Sequence, residues 1–265
     1  MSHVMFHPPV PGYVWIVGAG PGAADLITVR GLKALQQAEV VLHDDLAGRE
    51  LLAHCRPGTE CLYVGKRAGN HSATQHEINW LLVAHARAGR GVVRLKGGDP
   101  SLFGRSGEET DALRRAGIPH EIIPGVTAAC ASAAAAGISL TQRGVASTAI
   151  FTTGHECAEK SSRSVAWEAL AQPGATLCVY MGTRRFGEIA RKLQASGLAA
   201  DLPVLIVSHA SRPNQVIRTG TLETAAALAA DAEDTPSLII VGEVAAQNRA
   251  LLAYSRPPAL AHAAP

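Results

Sequence analysis

Five short stretches end apolar runs in small, polar or charged residues able to hold a ligand or move a proton. In "VWIVGAGPGAADLIT" (residues 14–28), Gly18, Gly20 and Ala23 fit the dinucleotide pattern G-x-G-x-x-G/A, and Asp44 follows where a ribose-binding acid would fall. That reading implies a nicotinamide or flavin oxidoreductase with a cradle of backbone N–H groups. Pro21 weighs against it, because it has no N–H to give; a plain glycine turn is the other account. In "RLKGGDPSLFGR" (94–105), Gly97 and Gly98 let a ligand approach the backbone and Asp99 adds a carboxylate, although an Asp-Pro turn needs no ligand. "IIPGVTAA" ends a strand at Pro124-Gly125 and opens a helix near Thr127, whose N–H groups suit an acceptor. "VVLHDDL" carries Asp44 and Asp45, as helix caps or as functional acids. "YVGKRAG" offers Lys66 and Arg67 to an anionic substrate or simply to solvent.

The elements that must position these loops are legible as apolar runs alternating with longer amphipathic stretches. "VWIVG", "VVLHD", "VVRLKG" and "HEIIPG" read as strands, and "AADLITVRGLKALQQA" and "ATQHEINWLLVAHARAG" as helices. The second helix has two possible capping boxes, Ser72/Gln75 and Thr74/Glu77. A third helix, "EETDALRRAG", has Ser106 and Glu109 as its box and Gly117 at its end. "STAIFTTGH", "ATLCVYMG", "PVLIVSHAS" and "SLIIVGEV" follow as strands, with "FGEIARKLQASG" and "LETAAALAAD" as helices between them. Alternating strands and helices predict an α/β fold with largely parallel sheet. The Ala-rich stretch 127–139 separates two halves, so two α/β domains are expected, over 13–130 and 140–250. Residues 1–12 and 255–265 read as loose ends.

Composition narrows the class. The chain of 265 residues is 47% hydrophobic and 17% charged, so each half can bury a core. No run approaches the roughly 18–20 apolar residues of a membrane span, and the first residues lack the features of a secretory signal. A net charge of +2 argues neither for nor against nucleic acid, which needs a clustered basic face, while an aromatic content of 4% disfavours a base-stacking platform. Five cysteines without a C-x-x-C pair suit a reducing cytoplasm, each as a small buried filler. His71 and His76 are badly spaced for one helix face, so no metal is expected.

Together and in this order, "VGAGPGAADLITVRG", "VVLHDDL", "VGKRAG", "VVRLKGGDPSLFGRSGEE", "IPGVTAACASAAAAGISLTQRG", "TTGH" and "YMG" resemble the S-adenosylmethionine-dependent tetrapyrrole methylases. The resemblance runs over about residues 14–250. It implies two α/β domains of that family's type, with the active-site cleft between them, usually in a homodimer. The cofactor, S-adenosylmethionine with S-adenosylhomocysteine as its product, would meet Pro21, Gly97, Gly98, Asp99, Leu102, Thr127, Ala128, Met181 and Ala210, where relatives often carry glycine at the last. The catalytic residues implied are Asp44 as proton acceptor, Lys66 as proton donor, and Arg105. Arg105, Glu108, Arg143 and Met181 match substrate-binding positions. Such a substrate is a reduced macrocycle with eight carboxylates, which guanidinium forks bind in pairs. His43, Asp45 and Gln142 depart from the family pattern. Other readings are a family member acting on a later corrin intermediate and a carrier of the same fold. The length leaves no room for the dehydrogenase–chelatase domain fused to some relatives, so methylation alone is expected.

Overall fold

The computed structural model describes residues 12–65, 73–155, 165–232 and 235–247. Lys66, Arg67, His71, Ser72 and Cys157 lie outside the described residues. The chain forms two compact units that divide between Ala128 and Ala129.

Unit 1 is built on strands β1 (Val14–Gly18), β2 (Val40–His43), β3 (Glu60–Tyr63), β4 (Val92–Lys96) and β5 (His120–Ile123). Its helices are α1 (Val29–Gln37), α2 (Gln75–Arg87) and α3 (Ser106–Arg115), with α4 (Ala128–Ala135) starting at the unit boundary. The strands form one sheet in the order β3-β2-β4-β1-β5, every pairing parallel. Alternate residues of a strand face opposite sides. Val14, Ile16, Val40, Leu42 and Val92 therefore pack with Ile78 and Leu82 of α2 and Leu113 of α3. Val17, Val41, Val93, Leu95 and Ile123 pack with Ala34 and Leu35 of α1 and with Leu51 on the other face. Burial on both faces is why these strands read as continuous apolar runs.

Unit 2 contains β6 (Thr148–Thr153), α5 (Trp167–Leu170), β7 (Ala175–Tyr180), α6 (Phe186–Ala195), β8 (Pro203–Ser208), β9 (Val216–Thr221), α7 (Ala225–Ala230) and β10 (Ser237–Val241). Its sheet has the order β6-β7-β10-β8-β9. Only β6–β7 is parallel; β7–β10, β10–β8 and β8–β9 are antiparallel. The expected largely parallel sheet therefore holds for unit 1 and fails for unit 2. The unanticipated β9 is the cause: it turns back on β8 ahead of the expected helix, which forms as α7, and so reverses the direction in which β10 enters the sheet.

Three further expectations are corrected. The run 23–38 is not one helix: Ala24–Leu26 make a single tight turn, and α1 begins at Val29 after Thr28, whose hydroxyl accepts from the Gly31 N–H. Thr74/Glu77 forms the box predicted for α2. Ser106/Glu109 does not form one: Arg105 precedes α3 in a left-handed conformation, and Glu109 is buried in the interior. Among the described cysteines only Cys178 is buried; Cys55 is partly covered, while Cys61 and Cys130 are exposed.

Candidate active site

Three loops of unit 1 meet at their backbones. The Ala19 N–H donates to the Lys96 carbonyl at 2.7 Å. Gly20 and Gly98 then exchange N–H···O bonds of 3.2 and 2.7 Å. A Cβ on Gly18 would stand 2.6 Å from the Gly125 Cα and 2.7 Å from the Gly98 oxygen, so only glycine fits at the crossing of strand ends β1, β4 and β5. Asp99 ties the arrangement together. One carboxylate oxygen accepts from the Ser101 N–H at 2.8 Å, the other from the Gly125 N–H at 3.0 Å. Gly98, at φ +68°, has room on its side-chain face. A Cβ there would meet only the Ala128 nitrogen, at 3.9 Å. That open face, beside Thr127 and Ala128, is where a ligand can lie against backbone. Pro21 and Leu102 flank these loops and are half-buried.

The same bonding removes the dinucleotide reading. Ala19 and Gly20 already spend their N–H groups on Lys96 and Gly98, and Pro21 has none. No α-helix begins at the loop either: Ala24–Leu26 make one tight turn, and α1 starts only at Val29. A pyrophosphate would find neither N–H cradle nor helix dipole.

Asp44 directly follows β2 and carries two duties at once. Its Oδ1 accepts from the Leu46 N–H at 3.1 Å, capping the turn Asp45–Ala47; its Oδ2 pairs with Arg94 Nη2 at 3.1 Å. The capping reading is thus realised, and the same side chain carries an ion pair while staying 25% exposed. Next to it, the Tyr63 hydroxyl donates to Asp45 at 2.5 Å, and the His43 and Tyr63 rings meet edge to face. Burial, then the Asp45 contact, pushes the Tyr63 phenol up to about 12. Burial pulls His43 below the ordinary histidine range.

Beneath Asp44 lies a charged interior that the sequence reading did not single out. Arg94, Lys96 and Glu109 are buried. Glu109 Oε1 accepts from Arg94 Nε at 3.1 Å and from Lys96 Nζ at 2.8 Å. Burial and the Arg94 charge draw Lys96 below the ordinary lysine range, against the pull of Glu109. The available signal was "VVRLK": two cations two residues apart in a strand buried at all five positions require internal anions.

The remaining candidates lie on exposed or strained loops. Arg105, at φ +55°, grips Glu108 with Nε and Nη2 at 2.7 and 2.8 Å, and this contact lowers the Glu108 carboxyl below its usual range. In unit 2, Arg143 is exposed in the turn closed by Gln142 and Ala146. Met181 is 56% exposed at φ +53°, and Ala210 is buried between His209 at φ +51° and Ser211 at φ +68°. Non-glycine residues with positive φ are uncommon and costly. Among the described residues there are five: Phe103, Arg105, Met181, His209 and Ser211. All five fall on the three loops that bear Leu102, Met181 and Ala210. No group of three or more His, Cys, Asp or Glu side chains suited to a metal occurs among the described residues. No described helix is long and apolar enough to cross a membrane.

The chain matches the family model described as Tetrapyrrole (Corrin/Porphyrin) Methylases over residues 13–226. It is 48% identical over 243 residues to a siroheme synthase of Actinobacillus pleuropneumoniae, covering 92% of this chain and 49% of that protein. A siroheme synthase 1 of Klebsiella pneumoniae is 50% identical over 233 residues, covering 88% of this chain and 49% of that one. The chain thus spans about half the length of the curated relatives it matches. A crystal structure of uroporphyrin-III C-methyl transferase from Thermus thermophilus complexed with S-adenyl homocysteine superposes with a TM-score of 0.76 at 40% identity. That match covers 89% of this chain and 100% of that one. A cobalt precorrin-4 methyltransferase superposes at 0.75 with 33% identity, covering 87% and 94%.

Proposed function

Because the chain belongs to the tetrapyrrole (corrin/porphyrin) methylases, we propose that it is a C-methyltransferase that moves two methyl groups from S-adenosylmethionine to uroporphyrinogen III, giving precorrin-2 through precorrin-1. The observation that carries this reading is the match to the Thermus enzyme over 100% of that chain at 40% identity. The five strained residues support it from inside this chain, because they lie on the loops that bear the proposed cofactor contacts Leu102, Met181 and Ala210. The functional domains are proposed over 13–130 and 140–250, in a cytoplasmic homodimer without nucleic-acid or membrane partners.

The open backbone face at Gly98 fits a ligand held by shape and backbone, which suits this cofactor. Pro21, Gly97, Gly98, Asp99, Leu102, Thr127 and Ala128 of unit 1, with Met181 and Ala210 of unit 2, are the residues proposed to hold it. Bound there, it supplies an electrophilic methyl on a sulfonium. Asp99 works indirectly in this scheme, since both of its oxygens already fasten loop N–H groups. Arg105 and Arg143 anchor substrate carboxylates. The Arg105–Glu108 pair is exposed and worth about 0–1 kcal/mol, so an incoming carboxylate can displace it. As the new carbon–carbon bond forms, the macrocycle sheds a proton. Asp44 is the proposed acceptor, because an arginine stays protonated. Lys66 is the proposed donor and lies outside the described residues.

Incubation with uroporphyrinogen III and S-adenosylmethionine, followed by mass analysis, tests the reading. One or two added methyls are expected. No addition to uroporphyrinogen III, with transfer to a later methylated corrin precursor, assigns the chain to another step of the same chemistry.

A further inference from the structure

Four charges alternate through the interior of unit 1: Asp44, Arg94, Glu109 and Lys96. Arg94 is the hub. Its Nη1 donates to the Leu95 carbonyl at 2.9 Å and the Leu42 carbonyl at 3.4 Å, and Nε donates to Glu109 at 3.1 Å. Nη2 is then aimed at Asp44 Oδ2. Leu42 pairs with Arg94 across β2 and β4, so one guanidinium grips the backbone of β2 two residues before Asp44 and the Asp44 side chain as well. Glu109 is wholly buried and collects Arg94, Lys96 and, at 3.4 Å, Gln75 on a single oxygen, while its other oxygen has no partner among the described residues.

Stability is a poor explanation for such a cluster. Desolvating the three buried charges, Arg94, Lys96 and Glu109, is expensive, and well-packed apolar residues of similar volume commonly serve a fold as well or better. Fixed geometry is what the cluster provides. A planar fork held on three sides sets the position of the one carboxylate that reaches the surface. We infer that Arg94 is the positioning residue of Asp44, and that Glu109 is the group that aims Arg94. This inference rests on the proposed role of Asp44.

The test is a double-mutant cycle in the full chain. It measures kcat and KM for uroporphyrinogen III, with S-adenosylhomocysteine affinity by calorimetry as the control for an intact cofactor site. Arg94→Lys keeps the charge and loses the fork. It is expected to lower kcat about 100-fold, the cost of roughly a 1 Å misplacement, with KM and S-adenosylhomocysteine affinity nearly unchanged. In an Asp44→Asn background the same change should cost nothing further, because the group it positions is already disabled. Should Arg94→Lys not fold, Glu109→Gln preserves volume and is read in the same cycle, with the same lack of further loss expected. Normal kcat in the folded variant overturns the inference, and so does an equal fractional loss with and without Asp44. Full turnover by Asp44→Asn alone instead removes the proposed base, and a wild-type chain that leaves uroporphyrinogen III unmethylated removes the proposed activity.

Discussion

Asp44 holds two hydrogen-bonded partners and still faces solvent, a combination that separates its chemistry from its fit. Asp44→Asn keeps the size, and the retained carbonyl oxygen can still accept from the Leu46 N–H. S-adenosylhomocysteine affinity should persist while turnover drops roughly 100-fold or more, the ordinary contribution of a positioned proton acceptor. A methyl-transfer assay with uroporphyrinogen III reads the outcome, and undiminished turnover excludes Asp44 as the acceptor. Asp99 is the contrasting case. The residue was singled out as a ligand-facing carboxylate, yet its oxygens bind the Ser101 and Gly125 N–H groups. Asp99→Ala should still weaken S-adenosylhomocysteine binding at least about tenfold, because two loops lose their shared tie and two N–H groups lose their acceptor. Unchanged affinity by calorimetry would sink that role. Arg94, Lys96 and Glu109 stayed hidden in the sequence because a charge in a strand reads as solvated until the strand's burial on both faces is known.

Strand ends and loops, more than whole elements, make the site. β1, β4 and β5 lie side by side, so their carboxyl ends deliver the glycine loops to one edge of the sheet. A side chain on Gly125 would press on the Gly18 Cα at 2.8 Å and on the Gly98 carbonyl. Gly125→Ala should therefore destabilise unit 1 by about 1–3 kcal/mol and abolish cofactor binding, measurable by thermal melting and calorimetry. Capping offers a milder change. Thr74→Ala removes a complete capping box from α2 and should cost about 1 kcal/mol without touching kcat. The two boxes show what local sequence can and cannot say. Thr74/Glu77 sits at the surface, where local bonds decide. Ser106/Glu109 has the same spacing, but Arg94 and Lys96 claim the glutamate for the interior.

At the scale of the whole molecule, stability should decline in mild acid. Burial holds both His43 and His85 below the ordinary histidine range. The unfolded chain then binds protons that the folded chain resists, so stability is full above the ordinary histidine value and falls as pH drops below it. Melting curves between about pH 7 and 5 should show this, and His43→Gln should reduce the slope. Periodicity and turn residues were enough to read most strands, the α/β class and the order of the motif loops, because those features are local and repeat along the chain. The family followed from that order and not from any one loop. Strand direction in the second sheet was not legible, since β9 pairs through a hydrogen-bonded return that no local pattern announces. Nor could the fate of the opening glycine loop be read locally. Its N–H groups were available for a phosphate until Gly98 and Lys96, some eighty residues away in sequence, arrived to accept them. Long-range pairing assigned those donors to the protein's own backbone, and so left an apparent phosphate loop without the N–H groups a phosphate needs.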